Sequence, residues 1–202
     1  HGSHEDHKKG FDMVKQVNKD YNLNIAILAD MQGPKIRVGI VEGSIILRQN
    51  STIKITDKKS VSTENQLYIS YDGLYKEVKP KDRILINDGR IELYVVNTDN
   101  ELITARVIHG GVVTSKKGVN LPDTMLSTPA LTPKDKKDLQ FALEQGVNWI
   151  ALSFVRSAMD IEEMSNLMGY KRSYTKIVAK IEKPEAVKNI DSIIEATDAI
   201  MI

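Results

Sequence analysis

The stretch Thr132–Glu182, TPKDKKDLQFALEQGVNWIALSFVRSAMDIEEMSNLMGYKRSYTKIVAKIE, decides the fold. Thr132 precedes Pro133, an N-cap hydroxyl before a proline at the first helical position. Leu139, Ala142 and Leu143 then recur at helical spacing until Gly146 stops the pattern. Asn148–Val155 follows at once and is apolar on both faces, as a strand in a covered parallel sheet is. Ser157-Ala-Met-Asp160 opens a second helix with Ile161, Met164 and Leu167 or Met168 on its inner face, and Lys176–Ile181 is a second apolar strand. Helix, strand, helix, strand is the order of repeated βα units on a parallel sheet.

The same grammar extends in both directions. Pro184 opens a helix with Val187, Ile190 and Ile193 or Ile194 inside, and Ala199–Ile202 begins another strand. Near the start, a helix from about Glu5 to Tyr21 feeds the strand Asn24–Ala29. Residues 33–122 differ: they hold eight of the twelve glycines and six candidate strands, Ser44–Leu47, Thr52–Thr56, Gln66–Ser70, Arg83–Ile86, Glu92–Val96 and Leu102–Val107. Asp-Gly, Asn-Asp-Gly, Asp-Asn and Gly-Gly separate them, the residues of hairpins and tight turns. The expected architecture is α/β, a partial TIM-type (β/α)8 barrel of about four βα units. Residues 1–32 and 123–202 form the barrel parts, and residues 33–122 form an inserted all-β barrel. An open doubly wound sheet shares this order, although no Gly-x-Gly-x-x-Gly turn follows any strand. Four strands where such a barrel needs eight, and a first residue that is not Met, favour a piece of a longer protein.

Composition narrows the function. The 202 residues carry a formal charge of +1, which excludes nucleic-acid binding driven by net charge alone. No run approaches the ~18 apolar residues of a membrane span, and 41% hydrophobic with 27% charged residues is ordinary globular composition. The absence of cysteine excludes disulfides, thiolate catalysis and Cys-ligated metals, and fits a cytoplasmic protein whose metal, if any, is held by oxygen. Residues 33–122 carry 14 basic and 10 acidic side chains, a lean toward an anionic partner that a solvated surface also explains.

A β/α barrel places its chemistry at the C-terminal ends of its strands. Asp30, Ser153 with Arg156, and Lys180 with Glu182 stand at such ends. Lys180-Ile181-Glu182 is the most informative, because a spacing of two on a strand points both charges to one face. An ammonium there can stabilise a developing enolate or phosphate, and a carboxylate can hold a hard divalent cation. A solvated strand end carries the same pair of residue types.

Asp30-Met-Gln-Gly-Pro-Lys-Ile-Arg37-Val-Gly, Ile86-Asn-Asp88-Gly, Lys116-Lys117-Gly-Val-Asn-Leu-Pro122, the run from Thr132 through Ser153-Phe-Val-Arg156, and Ala179-Lys180-Ile-Glu182 occur in the order and spacing of pyruvate kinase. The chain resembles that family along essentially its whole length. His1-Gly2-Ser3-His4 resembles the segment after the family's second barrel strand. The resemblance implies transfer of phosphate from phosphoenolpyruvate to ADP with Mg2+ or Mn2+, and a mobile β lid as the insert. It implies a cytoplasmic enzyme that is homo-oligomeric at full length, a tetramer in the family, with neither nucleic acid nor membrane as partner. It matches Lys180 to the catalytic lysine acting on enolate and phosphate, Glu182 to a divalent-metal ligand, and Ser153 to a residue beside the phosphate. Arg37 and Lys117 match nucleotide-phosphate contacts, Asp88 the lid residue nearest the nucleotide, and His1 a residue near it. Asp30 matches a monovalent-cation ligand. At the position of Lys35, potassium-dependent members of the family carry Glu, with Thr, Lys and Thr where this chain has Met31, Gln32 and Val38. Lys35 and those neighbours follow the potassium-independent pattern, so potassium is expected not to be required. As a fragment the chain is expected to be inactive alone. The rival readings are another metal-dependent enolate-forming barrel, such as an aldolase or lyase, which lacks the β insert, and a non-catalytic binding module. The latter expects aromatic platforms, and the insert offers Tyr68, Tyr71, Tyr75 and Tyr94 but no Phe or Trp.

Overall fold

The computed structural model describes residues 2–99 and 101–202. The chain opens with α1 (His4–Tyr21) and β1 (Leu28–Met31), then builds β2 (Ile45–Leu47), β3 (Thr52–Thr56), β4 (Gln66–Tyr68), α2 (Leu74–Glu77), β5 (Arg83–Ile86) and β6 (Ile91–Asp99). β7 (Leu102–His109), β8 (Gly111–Val113) and β9 (Val119–Asn120) follow. The return runs through α3 (Pro133–Glu144), β10 (Trp149–Leu152), α4 (Ala158–Met168), a 3-10 turn (Gly169–Ser173), β11 (Lys176–Lys180), α5 (Pro184–Lys188), α6 (Ile190–Ala196) and β12 (Ala199–Met201). Two compact units result, one of the residues up to Pro34 together with Thr128–Ile202, the other Lys35–Ser127.

In the first unit β1, β10, β11 and β12 lie side by side in chain order, all parallel. A doubly wound sheet reverses its strand order at a switch point, so this unbroken order is that of a (β/α) barrel segment. Alternation divides the strands by face. Met31, Ile150, Leu152, Ile177 and Ala179 join the core shared with α3, α4 and α6. Asp30, Ala151 and Val178 are in register with one another on the opposite face. The helices are positioned by their caps. Thr132 and Asp135 form a reciprocal capping box at α3, Ser3 and Asp6 form another at α1, and at α4 the Asp160 carboxylate accepts from Ser157 N (3.2 Å).

Several expectations are corrected here. The strand expected at Asn24–Ala29 begins at Leu28, because the Asn18 side-chain amide bonds both Ile25 N and Ile25 O (2.8 and 2.9 Å) and Asn148 Oδ1 accepts from Ile27 N (2.8 Å). Those backbone groups are satisfied by side chains instead of a ladder. β10 is shorter than Asn148–Val155 because the chain turns into the left-handed region at Phe154 (φ 57°). Trp149, which a strand apolar on both faces would bury, is half-buried at its start. The helix opened by Pro184 is broken at Asn189, whose Nδ2 donates to Arg156 O at 2.9 Å. The first piece buries Ala186 and leaves Val187 63% exposed, and the second buries Ile193.

In the second unit, β4-β3-β7-β6-β5-β9 form one sheet and β2 pairs with β8 in a two-stranded ribbon. The six expected strands are all present, joined by the short β8 and β9, which carry too few residues to show an alternation. The segment Ile36–Gly39 joins the two edges of the larger sheet. Val38 N donates to Lys117 O and Gly39 N to Tyr68 O (both 2.8 Å), while Arg37 O accepts from Ser70 N (2.9 Å). Both free edges are thereby paired, which is how a small barrel removes them. Ile55, Leu67, Ile84, Ile86 and Leu93 lie fully buried inside, and Leu126 packs against this core. Ser127 donates to Glu77, which also receives the Tyr71 hydroxyl (2.7 Å). Tyr71 is therefore a core residue and no stacking platform. Among the described residues no helix is long and apolar enough to cross a membrane.

Asp198 ties β11 to β12. It accepts from Ile177 N (2.8 Å) and pairs with Arg172 (2.7 Å) and Lys176 (3.4 Å). Burial pushes its carboxyl upward, but the Ile177 amide and the two cations outweigh this and hold it below the ordinary value. A depressed value in the folded state gives stability that is complete above the unfolded value, about 3.9, and is lost as pH falls through the folded one. Asp198→Asn is expected to lower stability by about 1–3 kcal/mol at neutral pH and to flatten the acid limb of the stability profile, as measured by urea unfolding at a series of pH values.

Candidate active site

The parallel register sets three strand ends side by side. Met31 pairs with Leu152, and Leu152 with Ala179. One residue further on, Ser153 and Lys180 stand on the same face as Asp30, Ala151 and Val178, one layer above them. The Lys180 ammonium reaches Asp30 Oδ1 and Oδ2 (3.2 and 3.3 Å), Ser153 Oγ (3.0 Å) and Glu182 Oε1 (3.5 Å). Its side chain is only 16% exposed, whereas Asp30 is 57% exposed. All three ammonium donors thus face oxygen, and the two carboxylates and the Ser153 hydroxyl hold the ammonium in place.

Each partner is held in turn. Ser153 Oγ donates to Met31 O (2.8 Å), which sets it as an acceptor toward Lys180. Glu182 Oε2 accepts from Phe154 N (2.9 Å), while Oε1 stays beside the lysine. Below this site Gly33, with φ 66°, sits so close to Phe154 and Ser153 that a Cβ would come within 3.0 Å of Phe154 Cδ2. Gly33 N donates to Asp135 Oδ1 (3.2 Å), and Asp135 is buried at the start of α3. Further along the same rim, Arg156 pairs with Asp160 (3.0 Å). Lys183 follows Glu182, and burial holds its ammonium below the usual lysine range, with Glu185 opposing and Arg156 adding to the shift. Among the described residues, Glu185 Oε2 is buried without a hydrogen-bond partner.

The four residues expected in the barrel part, Asp30, Ser153, Lys180 and Glu182, are therefore one cluster. Met31 is buried with its side chain on the helix side, away from the cluster. The expected nucleotide residues of the β unit also gather. Arg37 Nη1 donates to Lys116 O (2.7 Å), Lys117 O accepts from Val38 N (2.8 Å), and Asn87, next to Asp88, donates its N–H to Gly118 O (3.0 Å). Asn87, Asp88 and Gly89 all have positive φ, so the hairpin tip is a left-handed turn packed on the segment that carries Lys117. Lys35 is exposed and makes no ion pair among the described residues. His1 lies outside the described residues. Sequence reasoning missed the Asp30–Lys180 pair, since 150 positions separate them, and it missed Asp135 as the anchor of Gly33.

Among the described residues no three His, Asp or Glu side chains converge to hold a metal by themselves. Magnesium takes one or two carboxylates and completes its shell with water and substrate phosphates. Glu182, with Oε2 satisfied by an amide and Oε1 directed at the cluster, fits one such ligand.

A parallel β/α barrel segment with an all-β unit inserted after its first strand carries its charged cluster at the C-terminal strand ends, the face where barrels of this class hold their functional groups. The family profile "Pyruvate kinase, barrel domain" matches residues 1–202. The pyruvate kinase of Corynebacterium efficiens is 41% identical over 203 residues, covering all of this chain and 43% of that protein. Pyruvate kinase 2 of Synechocystis is 41% identical over 207 residues, all of this chain and 35% of that protein. A pyruvate kinase of Agrobacterium vitis is 40% identical over 204 residues, all of this chain and 42% of that protein. The chain belongs to the pyruvate kinase family, and it spans about two fifths of the length of these curated relatives.

Asp135 gives the site a structural test. Its carboxylate accepts from Gly33 N (3.2 Å) and Thr132 N (2.9 Å). Asp135→Ala leaves both amides without that partner and is expected to destabilise by about 2–3 kcal/mol. Thr132→Ala, which removes only the cap hydroxyl, should cost about 1 kcal/mol, with chemical denaturation as the measurement.

Proposed function

We propose that the full-length protein carrying this chain transfers the phosphoryl group of phosphoenolpyruvate to ADP, giving pyruvate and ATP. The single observation that carries this reading is the half-buried Lys180 ammonium, fixed between Asp30, Ser153 and Glu182 at the strand ends. An oxygen of the ADP β-phosphate attacks phosphorus, the bond from phosphorus to the enol oxygen breaks with its electron pair left on that oxygen, and the enolate then takes a proton at its methylene carbon to become pyruvate. Negative charge therefore moves onto the enol oxygen as the reaction proceeds. A preorganised ammonium aimed at that oxygen and at the departing phosphoryl stabilises the transition state more than the ground state. Asp30 is the most exposed of the lysine's partners and thus the one a phosphate oxygen displaces most readily. Glu182 is the residue of this chain that would hold Mg2+ or Mn2+. When bound, the ion supplies positive charge against the phosphate oxygens. Ser153 lies beside the transferring phosphate. Arg37, Lys117 and Asp88 are assigned to the nucleotide, two cations and a left-handed turn within one end of the β unit, and His1 to its neighbourhood. The reaction is assigned to the cytoplasm and to a homo-oligomer.

Lys180→Met in the full-length protein is expected to lower turnover by at least ~100-fold, about 2.7 kcal/mol in the barrier, with nucleotide binding nearly unchanged. Glu182→Gln instead raises the magnesium concentration needed for half-maximal rate. Steady-state kinetics across a magnesium titration separates the two, and normal turnover by the Lys180→Met protein refutes the assignment.

The same enzyme is proposed to work without potassium. Lys35, with Met31, Gln32 and Val38 around it in sequence, carries a charge that stands in for the monovalent ion. The rate in tetramethylammonium buffer should change less than about twofold on adding potassium. A rise of about a hundredfold shows that Lys35 does not replace it.

A further inference from the structure

Among the described residues of the parallel-sheet unit, two non-glycine residues have positive φ, Asn22 and Phe154. Asn22 closes α1, a place where asparagine is commonly left-handed. An aromatic residue in that region is strained by roughly 1–2 kcal/mol through its Cβ, and such strain persists only where the surroundings over-determine it. At Phe154 two contacts do so. Its ring lies against Gly33, where an added Cβ would come to 3.0 Å from Phe154 Cδ2, so that the ring would have to give way. Its N–H donates to Glu182 Oε2 at 2.9 Å. The residues on either side, Ser153 and Val155, are buried, and Ser153 is bound to both Met31 O and Lys180.

We propose that Phe154 is a positioning residue: the packing of its ring on Gly33 holds its backbone left-handed, so that its amide grips Oε2 of Glu182 and leaves Oε1 oriented for a divalent cation. This rests on the reading of Glu182 as a metal ligand. The strain is local to the turn after β10, and it serves the neighbouring strand end, because the amide reaches a carboxylate 28 positions away. A ligating carboxylate that is fixed by a hydrogen bond on one oxygen pays less ordering entropy when it binds a cation through the other.

The test uses the full-length protein and Mn2+ alone, with free ion measured by electron paramagnetic resonance in the absence of substrates. Phe154→Gly keeps the N–H and removes both the strain and the ring that pins it. It is expected to weaken Mn2+ by about tenfold. Phe154→Tyr, which retains the ring, should bind within about twofold of the wild type. Gly33→Ala crowds the ring from the other side and should weaken Mn2+ in the same direction, which keeps the proposal testable if Phe154→Gly does not fold. Thermal unfolding is followed in parallel: a merely structural role lowers the melting temperature and leaves Mn2+ affinity unmoved. If Glu182→Gln weakens Mn2+ while Phe154→Gly and Gly33→Ala bind it like the wild type, the positioning role is overturned and Glu182 stands as a ligand. If Glu182→Gln binds Mn2+ like the wild type, the ligand reading fails, and the positioning role with it.

Discussion

The Lys180 ammonium is shared by oxygens from the ends of two other strands and from its own, and much of the first unit is arranged so that this sharing is possible. Ammonium donors are short-ranged and directional, so Asp30, Ser153 and Glu182 must all lie within about 3.5 Å of one nitrogen. Parallel pairing supplies this. The matched levels of β1, β10 and β11 bring residues of one parity to one face, and a slip of one position would turn Lys180 into the helix-side core. That core, filled by Ile150, Leu152, Ile177 and Ala179, is what makes the slip unfavourable.

The loops then refine what the register sets. Both turns that leave β1 and β10 use the left-handed region, one with Gly33 and one with Phe154, and the two residues pack on each other. Asp135 binds the first of these turns to the capped start of α3, so a helix terminus, a glycine and a strand end form one connected structure under the cluster. The helix caps are therefore more than local signals: the carboxylate that completes the α3 cap also satisfies a backbone amide 102 positions earlier. The β unit uses a different solution, closing its sheet with the segment Ile36–Gly39. That closure places Arg37 across the Lys116–Gly118 segment, and it is why residues separated by about eighty positions share one end of the unit.

Much of this was legible in the sequence. Capping pairs at Thr132 and Ser157, glycine stops and apolar runs located α3, α4, β10 and β11, because those signals depend on residues within one turn or one strand. The spacing of Lys180 and Glu182 gave their common face, because strand alternation is a local rule. The division into an α/β part and a glycine-rich β part was visible for the same reason, in turn residues and β-branched runs.

Tertiary structure decided the rest. Asn18 and Asn148 take the backbone groups of residues 25–27 and so delay β1, and Asn189 bonds to Arg156 O and breaks the last helix; side-chain bonds of this kind leave no periodic trace. The strand order excluded the doubly wound alternative, which shares its local patterns with a barrel. The Asp30–Lys180 pair, the grip of Phe154 on Glu182 and the anchor of Gly33 on Asp135 join residues 28 to 150 positions apart. The sequence by itself determined which residue types stand at the strand ends. Only the packed sheet decided which of them touch, because contact across strands depends on register and on the turns that follow.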